Sequence, residues 1–324
     1  MKKVCCLIGL LMIVVSFSSI AEVQADSFTI AYMTPALHIP FWKDVSDGIH
    51  QEADKVGVKI IDSDSRLSAA TQLQNAQDLI TAGVDAIIIS PTDSASCPPV
   101  LELAAEANIP VIICDIGTDS GEYVSFVISS NYGGANEAGK YMAQKMEEKG
   151  WKGGEVAIIT ISLARQNGRD RTDGFKDAMA DVGSEVVGLL ECKDYTREES
   201  MKFAQDLITA HPNLRGLFTE HDEANLGSML AIENVGKQDE LIHVGFDGSP
   251  ESVEAIKEGT LLGAASMQQP VLMGREAFKA AMQYLNGETP EKEIVIPTIL
   301  VTRENVLSVE DQLADNVYPN ELKQ

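Results

Sequence analysis

The chain has 324 residues, with 25 Lys and Arg against 49 Asp and Glu, a formal charge of −24. A hydrophobic fraction of 44% with 23% charged residues is globular usage and excludes a disordered chain. The acid excess excludes the basic footprint of a nucleic-acid binder, and the length suits roughly two domains.

The first 25 residues read as a leader. Lys2-Lys3 precedes a 14-residue apolar run, Val4–Phe17, and Val23-Gln24-Ala25 places small residues where a signal peptidase reads. A membrane anchor needs about 20 apolar residues, so this run is too short to span. Cys5 and Cys6 stand at the start of the run, which argues against a lipid-modified cysteine. No second long apolar run follows, so an exported, periplasmic, soluble protein is expected. Cleavage near Ala25 leaves Cys97, Cys114 and Cys192, too few for a disulfide scaffold and without a CxxC pair for zinc. A buried thiol is the plainer reading of Cys114, and a Cys97–Cys114 bridge stays open in an oxidising compartment.

From Phe28 onward, Val- and Ile-rich runs alternate with amphipathic stretches. Phe28–Met33 and Val58–Ile61 read as strands around a helix over about Phe41–Lys55, where Phe41, Val45, Ile49 and Ala53 form one stripe. A second helix, about Ala69–Ala82, is followed by the continuous apolar runs Ala86–Ser90 and Val111–Cys114, as in strands buried on both faces. Val156–Ile161, Val186–Leu190, Gly216–Thr219 and Ile242–Gly245 resume the rhythm. Such alternation predicts an α/β fold of parallel sheets with helices on both faces. Gln77-Asp78-Leu79-Ile80-Thr81-Ala82 recurs letter for letter as Gln205–Ala210, each copy leading to an apolar strand and then to a strand ending in Asp. Two similar doubly wound lobes follow from that order.

In open parallel sheets ligands bind beyond the carboxyl ends of the strands. Those ends supply Thr34–Trp42, Pro91–Ser94, Asp115, Ile161–Arg171, Asp194-Tyr195, Glu220–Asp222, Asp247–Ser249 and Gln268-Gln269. Aromatic faces suit the C–H faces of sugars, and carboxylate, amide and guanidinium groups suit their hydroxyls. Singly, Thr92, Asp93, Ser94 and Asp222 read first as helix caps, and Asp247 before Gly248-Ser249-Pro250 reads as a cap and turn. Their joint placement at strand ends points to a site. No GxSxG, HExxH, Walker loop or GxGxxG opens any helix, so no enzyme, cofactor or metal is expected.

The motifs Ile39-Pro40-Phe41-Trp42, Ser90-Pro91-Thr92-Asp93, Asn108–Ile112, Arg169–Phe175, Asp222-Glu223, Val244–Gly248 and Gln268 resemble those of type I periplasmic sugar-binding proteins, the ribose-binding branch in particular. DNA-binding repressors share that core but carry a basic helix-turn-helix head where this chain has its leader. The resemblance implies two lobes joined by three crossovers, near Ser129–Asn131, Ala264–Gln268 and Pro297. The lobes would be 26–129 with 269–297, and 130–268 with 298–324. It places stacking aromatics at Phe41, Trp42 and Tyr195, hydroxyl-binding acids at Asp115 and Asp247, an arginine at Arg171 and a hinge glutamine at Gln268. His221 stands where the family has an Asn, and Ile116 and Ile39 replace a family Arg and Asn. These departures turn the expectation from D-ribose toward another neutral sugar or polyol. A monomer delivering that ligand to an ABC permease is expected, and a sensor subunit serving a chemoreceptor or kinase is the alternative. The tail from Asn305 to Gln324 runs past the family's usual end.

Overall fold

The computed structural model describes residues 28–259 and 261–318, so the leader expected at residues 1–25 lies outside the described residues. The first half builds one six-stranded sheet from β1 (Thr29–Thr34), β2 (Lys59–Asp64), β3 (Ala86–Ile89), β4 (Val111–Cys114), β5 (Ser125–Ser129) and β11 (Glu293–Ile296), in the order β11-β5-β4-β3-β1-β2. The second sheet uses β6 (Glu155–Thr160), β7 (Val186–Glu191), β8 (Leu214–Thr219), β9 (Ile242–Phe246), β10 (Ala264–Met267) and β12 (Ile299–Thr302), in the order β12-β10-β9-β8-β6-β7. The two orders correspond position by position. The pairings are parallel except β10 with β12, a departure from the all-parallel expectation at the outer edge of the second sheet. The chain crosses between the sheets after β5, after β10 and between β11 and β12.

Helices cover both faces: α1 (Pro40–Val56), α2 (Ala69–Ala82), α3 (Cys97–Glu106) and α9 (Pro270–Leu285) on the first sheet, α4 (Asn131–Glu148), α5 (Gln166–Ala180), α6 (Arg197–Ala210), α7 (Asp222–Asn234) and α8 (Pro250–Glu258) on the second, and α10 (Val306–Asn316) last. The repeated Gln-Asp-Leu-Ile-Thr-Ala forms the last six residues of α2 and of α6, the second helix of each βαβαβ unit. Each lobe also brings in a helix just after a crossover, packing α9 on α1 and α4 on α5. Glycine makes that approach possible. A Cβ at Gly48 or Gly274 would collide with a backbone carbonyl of the partner helix, and one at Gly174 would strike the Tyr132 carbonyl.

Side chains alternate across β3 and β4 into separate cores: Ile88, Ile112 and Cys114 on one face, Ile87, Ile89, Ile113 and Cys97 on the other. The sheet therefore lies between Cys97 and Cys114, and both are free thiols, as is Cys192. The Cys97–Cys114 bridge does not form. Among the described residues no helix is long and apolar enough to cross a membrane.

Candidate functional site

Phe41, Trp42, Asp115, Arg171, Tyr195, His221, Asp247 and Gln268 all line one cavity of about 420 Å³ between the lobes. Three of them share a backbone peculiarity. Asp115, Asp247 and Tyr195 have φ values of 68°, 64° and 54°, a left-handed conformation uncommon for non-glycine residues and typical of functional positions. Asp115 follows β4 and Asp247 follows β9, which are equivalent strands of the two sheets. Each amide still donates to the neighbouring strand, Asp115 N to Val127 O at 2.8 Å and Asp247 N to Ser266 O at 3.0 Å. The ladder thus holds both backbones while the turn aims both carboxylates into the cleft. Asp247 is not a cap: Ser249 caps α8 by accepting from Ser252 N at 3.2 Å. Likewise His221, not Asp222, is the N-cap residue of α7.

The first lobe supplies the apolar side. Pro40 opens α1 at a position that needs no amide proton, and Phe41 and Trp42 follow with ring centroids 4.8 Å apart, edge to face. Ile116 does not line the cavity; it packs with Ala36 behind Trp42, whereas Ile39 lies on the cavity wall. The family's Arg position therefore serves here as a prop for an aromatic ring.

The second lobe supplies a polar network. Arg171 is 2% exposed, with its guanidinium carbon 4.0 Å from the centre of the Phe246 ring. Its Nε donates to Asn131 Oδ1 at 2.8 Å, and its Nη1 donates to Glu220 O at 2.6 Å and lies 3.5 Å from Asp247 Oδ1. Gln268 Nε2 donates to the same Asp247 oxygen at 2.7 Å. Burial raises the Asp247 carboxyl, against the lowering pull of Arg171. Glu220 stands behind the wall, bonded by Thr160, Thr172 and Ile161 N, and burial pushes it up to about 7.

Tyr195 owes its place to the start of α6. Thr196 caps α6, and Glu199 reaches back to accept from the amides of Lys193, Asp194 and Tyr195. The Tyr195 ring lies under the Arg165 guanidinium, 5.1 Å from its centroid, and edge-on to His221. Burial, with Arg171 and Arg165 nearby, lowers His221 to about 3, so its ring is neutral beside the Cys192 sulfur at 3.4 Å. Burial pushes that thiol up to about 12.

The lobes touch across the cleft. Asn167 Nδ2 donates to Asp115 Oδ2 at 3.1 Å, Arg165 Nε donates to Thr92 O at 3.0 Å, and Ser94 Oγ accepts from Gln166 N at 3.1 Å. Ser94 thus caps a helix, but one belonging to the other lobe. Burial pushes Asp115 up to about 6, with Arg171 opposing and Asp247 reinforcing the shift. Asp115 Oδ1 and Gln268 Oε1 are buried without a hydrogen-bond partner among the described residues. Asn167 sits inside the strand-end span Ile161–Arg171 without a spacing that marks it out. Val317 and Tyr318, also on the cavity wall, come from the tail and had no signal at all.

The periplasmic binding protein domain model matches residues 30–289. The chain belongs to that family. Among the relatives of this periplasmic binding protein, the ribose import binding protein RbsB of Escherichia coli K12 is 33% identical over 304 residues, covering 94% of this chain and 99% of that one. Its Bacillus subtilis counterpart is 33% identical over 276 residues, covering 85% and 88%. Among solved structures, an ABC transporter solute-binding protein of Bacillus halodurans with bound myo-inositol gives a TM-score of 0.80 at 30% identity, covering 88% and 98%. One from Mycobacterium smegmatis with bound glycerol gives 0.81 at 29%, covering 87% and 96%. The two parallel-sheet lobes are those of the type I binding proteins, and α10 lies beyond the matched span.

Proposed function

We propose that this protein is exported with loss of its leader after about Ala25, captures a neutral sugar or polyol in the inter-lobe cavity, and delivers it as a monomer to the permease of an ABC importer. Lobes 26–129 with 269–297 and 130–268 with 298–324 would close on the ligand as rigid bodies. One observation carries the reading: two buried carboxylates at equivalent strand ends line a single cavity that an aromatic pair also lines. Hydroxyl groups donate to carboxylates in charge-assisted hydrogen bonds, and aromatic faces cover the C–H faces of a sugar. Asp115 and Asp247 would accept, Arg171 would donate, and Phe41, Trp42 and Tyr195 would enclose the ring.

The charge balance argues for the ligand class. Asp44, Asp115, Asp194, Asp222, Glu223 and Asp247 line the cavity against Arg165, Arg171 and Arg197, and Arg197 is engaged by Glu223 and Glu251. Sugar acids and sugar phosphates are disfavoured by that excess. Ile39 and neutral His221 on the wall change the contacts expected of a ribose site, so the preferred ligand is another pentose, a deoxy-sugar or a linear polyol. The import function named for the relatives supports transport over sensing. Catalysis is outside this reading, because a neutral His221 beside a protonated Cys192 is not an activated nucleophile.

Mass spectrometry of the molecule that co-purifies, with a thermal-shift panel of aldoses, deoxy-sugars, polyols, sugar acids and amino-sugars, tests the proposal. A neutral polyhydroxyl compound should stabilise the protein above D-ribose. Stabilisation by D-ribose above all others, or by a sugar acid alone, would overturn the ligand assignment.

A further inference from the structure

The tail that no motif explained reaches the cavity. After β12 the chain forms α10, whose Val306 and Leu313 pack with Val253, Ile256, Met267 and Val301 in the second lobe. Its far end is held from the other side. Arg275, on α9 of the first lobe, pairs with Asp315 Oδ1 at 3.0 Å through Nη2, while its Nη1 donates to Asn316 Oδ1 at 3.2 Å. The same guanidinium donates to Gln51 on α1 at 2.7 Å. Gln269 Oε1 accepts from Asn316 Nδ2 at 2.8 Å and from Gln312 Nε2 at 3.2 Å, and its own amide donates to Pro297 O at 2.8 Å. The end of α10 is thereby registered against both lobes and two of the three crossovers.

Val317 and Tyr318, members of that same apolar cluster, follow and also line the cavity, as do Gln268, Pro270 and Gly248–Pro250. Both side chains are buried. Resting on the sugar-capturing function proposed above, we infer that Tyr318 is a specificity-determining residue: the C-terminal segment supplies one wall of the ligand site and limits the size of ligand admitted. A large, two-torsion aromatic side chain suits this task, because it fills volume at little entropic cost. A pocket wall discriminates chiefly by shape, so enlarging it changes which ligands fit and not only how tightly each one binds.

Calorimetric titration of wild type, Tyr318→Ala and Tyr318→Phe against the same panel tests the inference. Tyr318→Ala should weaken the best ligand by about tenfold, on the scale of a removed pocket contact, and should promote bulkier sugars in the ranking. Tyr318→Phe should preserve the ranking. A tyrosine that only stabilises the fold would lower the melting temperature of Tyr318→Ala and leave the ranking unchanged, which overturns the inference. If no panel compound binds the wild type, the proposed function fails, and labelling then decides the role of the tail. N-ethylmaleimide should modify Tyr318→Cys at that position in the folded chain, read by peptide mass spectrometry. Modification only on unfolding would overturn the assignment of Tyr318 to the cleft.

Discussion

Asp115 and Asp247 occupy equivalent strand ends with nearly the same backbone angles, yet their surroundings are opposite. Asp247 is embedded in a network of its own lobe, between Arg171 and Gln268. Asp115 precedes Ile116, which packs with Trp42, and its carboxylate accepts from Asn167 across the cleft. Repetition of the fold therefore repeats where a carboxylate points and leaves its chemistry free to diverge. The second lobe bonds its acid with its own side chains, whereas the acid of the first is bonded from across the cleft.

The largest effect should come from breaking the network of the second lobe. Arg171→Ala leaves Asp247 buried without its counter-ion, which typically costs about 3–5 kcal/mol. Urea unfolding of the apo protein should show that loss, while Asp115→Asn stays near wild type. A loss below about 1 kcal/mol for Arg171→Ala, less than a broken buried pair costs, would mean that the network does not hold the second lobe. Next in size are the two carboxylates as ligand acceptors. Asp115→Asn and Asp247→Asn should each weaken the best panel ligand by about 1.5–3 kcal/mol, the scale of a charged hydrogen bond. Equal losses by calorimetry would sharpen the equivalence, and a loss at one position alone would break it.

A smaller effect follows from burial. The Asp115 carboxyl rises from 3.8 to about 6 and the Glu220 carboxyl from 4.5 to about 7. Both groups hold protons more tightly in the folded chain, so their contribution is complete below the ordinary values and is lost as pH rises through about 6 and about 7. Buried His221 and His243, lowered from 6.5 to about 3 and about 4, act in the opposite sense as pH falls below 6.5, so the Glu220 part is read as a difference: against wild type, Glu220→Gln should lose more resistance to urea at pH about 5 than at about 7.5. An equal change at both pH values would show that another group carries the dependence. The smallest signal is optical. Ligand should change tryptophan emission through Trp42 on the cavity wall, so Trp42→Phe should remove the change and Trp151→Phe should keep it. Trp151 packs against the core of the second lobe, with Lys149 and Arg215 over its ring. Equal loss in both variants would assign Trp42 to the core alone.

The sequence reading was strongest where physical signals are local and periodic. The helix expected over Ala69–Ala82 spans those residues, and the buried strands Ala86–Ile89 and Val111–Cys114 announced themselves as unbroken apolar runs. Edge strands were harder: β2 continues through Asp62-Ser63-Asp64, because an edge exposed to water tolerates polar residues. β10, Ala-Ala-Ser-Met, has too little bulk to mark it as a strand. The eight residues expected in the site do gather at one cavity, since strand ends in this topology converge. Ile116 behind Trp42 and Tyr318 on the wall were illegible, because side-chain direction and the return path of a tail are tertiary facts.

The bond between Arg171 and Asn131 reaches beyond the site. Asn131 opens α4 directly after one crossover and Gln268 lies in another, so two hydrogen bonds and the Arg171–Asp247 ion pair link Asn131, Arg171, Asp247 and Gln268 from crossover to crossover. Apparent affinity is intrinsic affinity scaled by the fraction of molecules in the binding-competent state. A change at Asn131 would reach a ligand by two routes, through that fraction and through the aim of the Arg171 guanidinium that Asn131 holds. Joint and cleft wall share the same side chains here, so a substitution at the crossover is expected to shift occupancy and selectivity together.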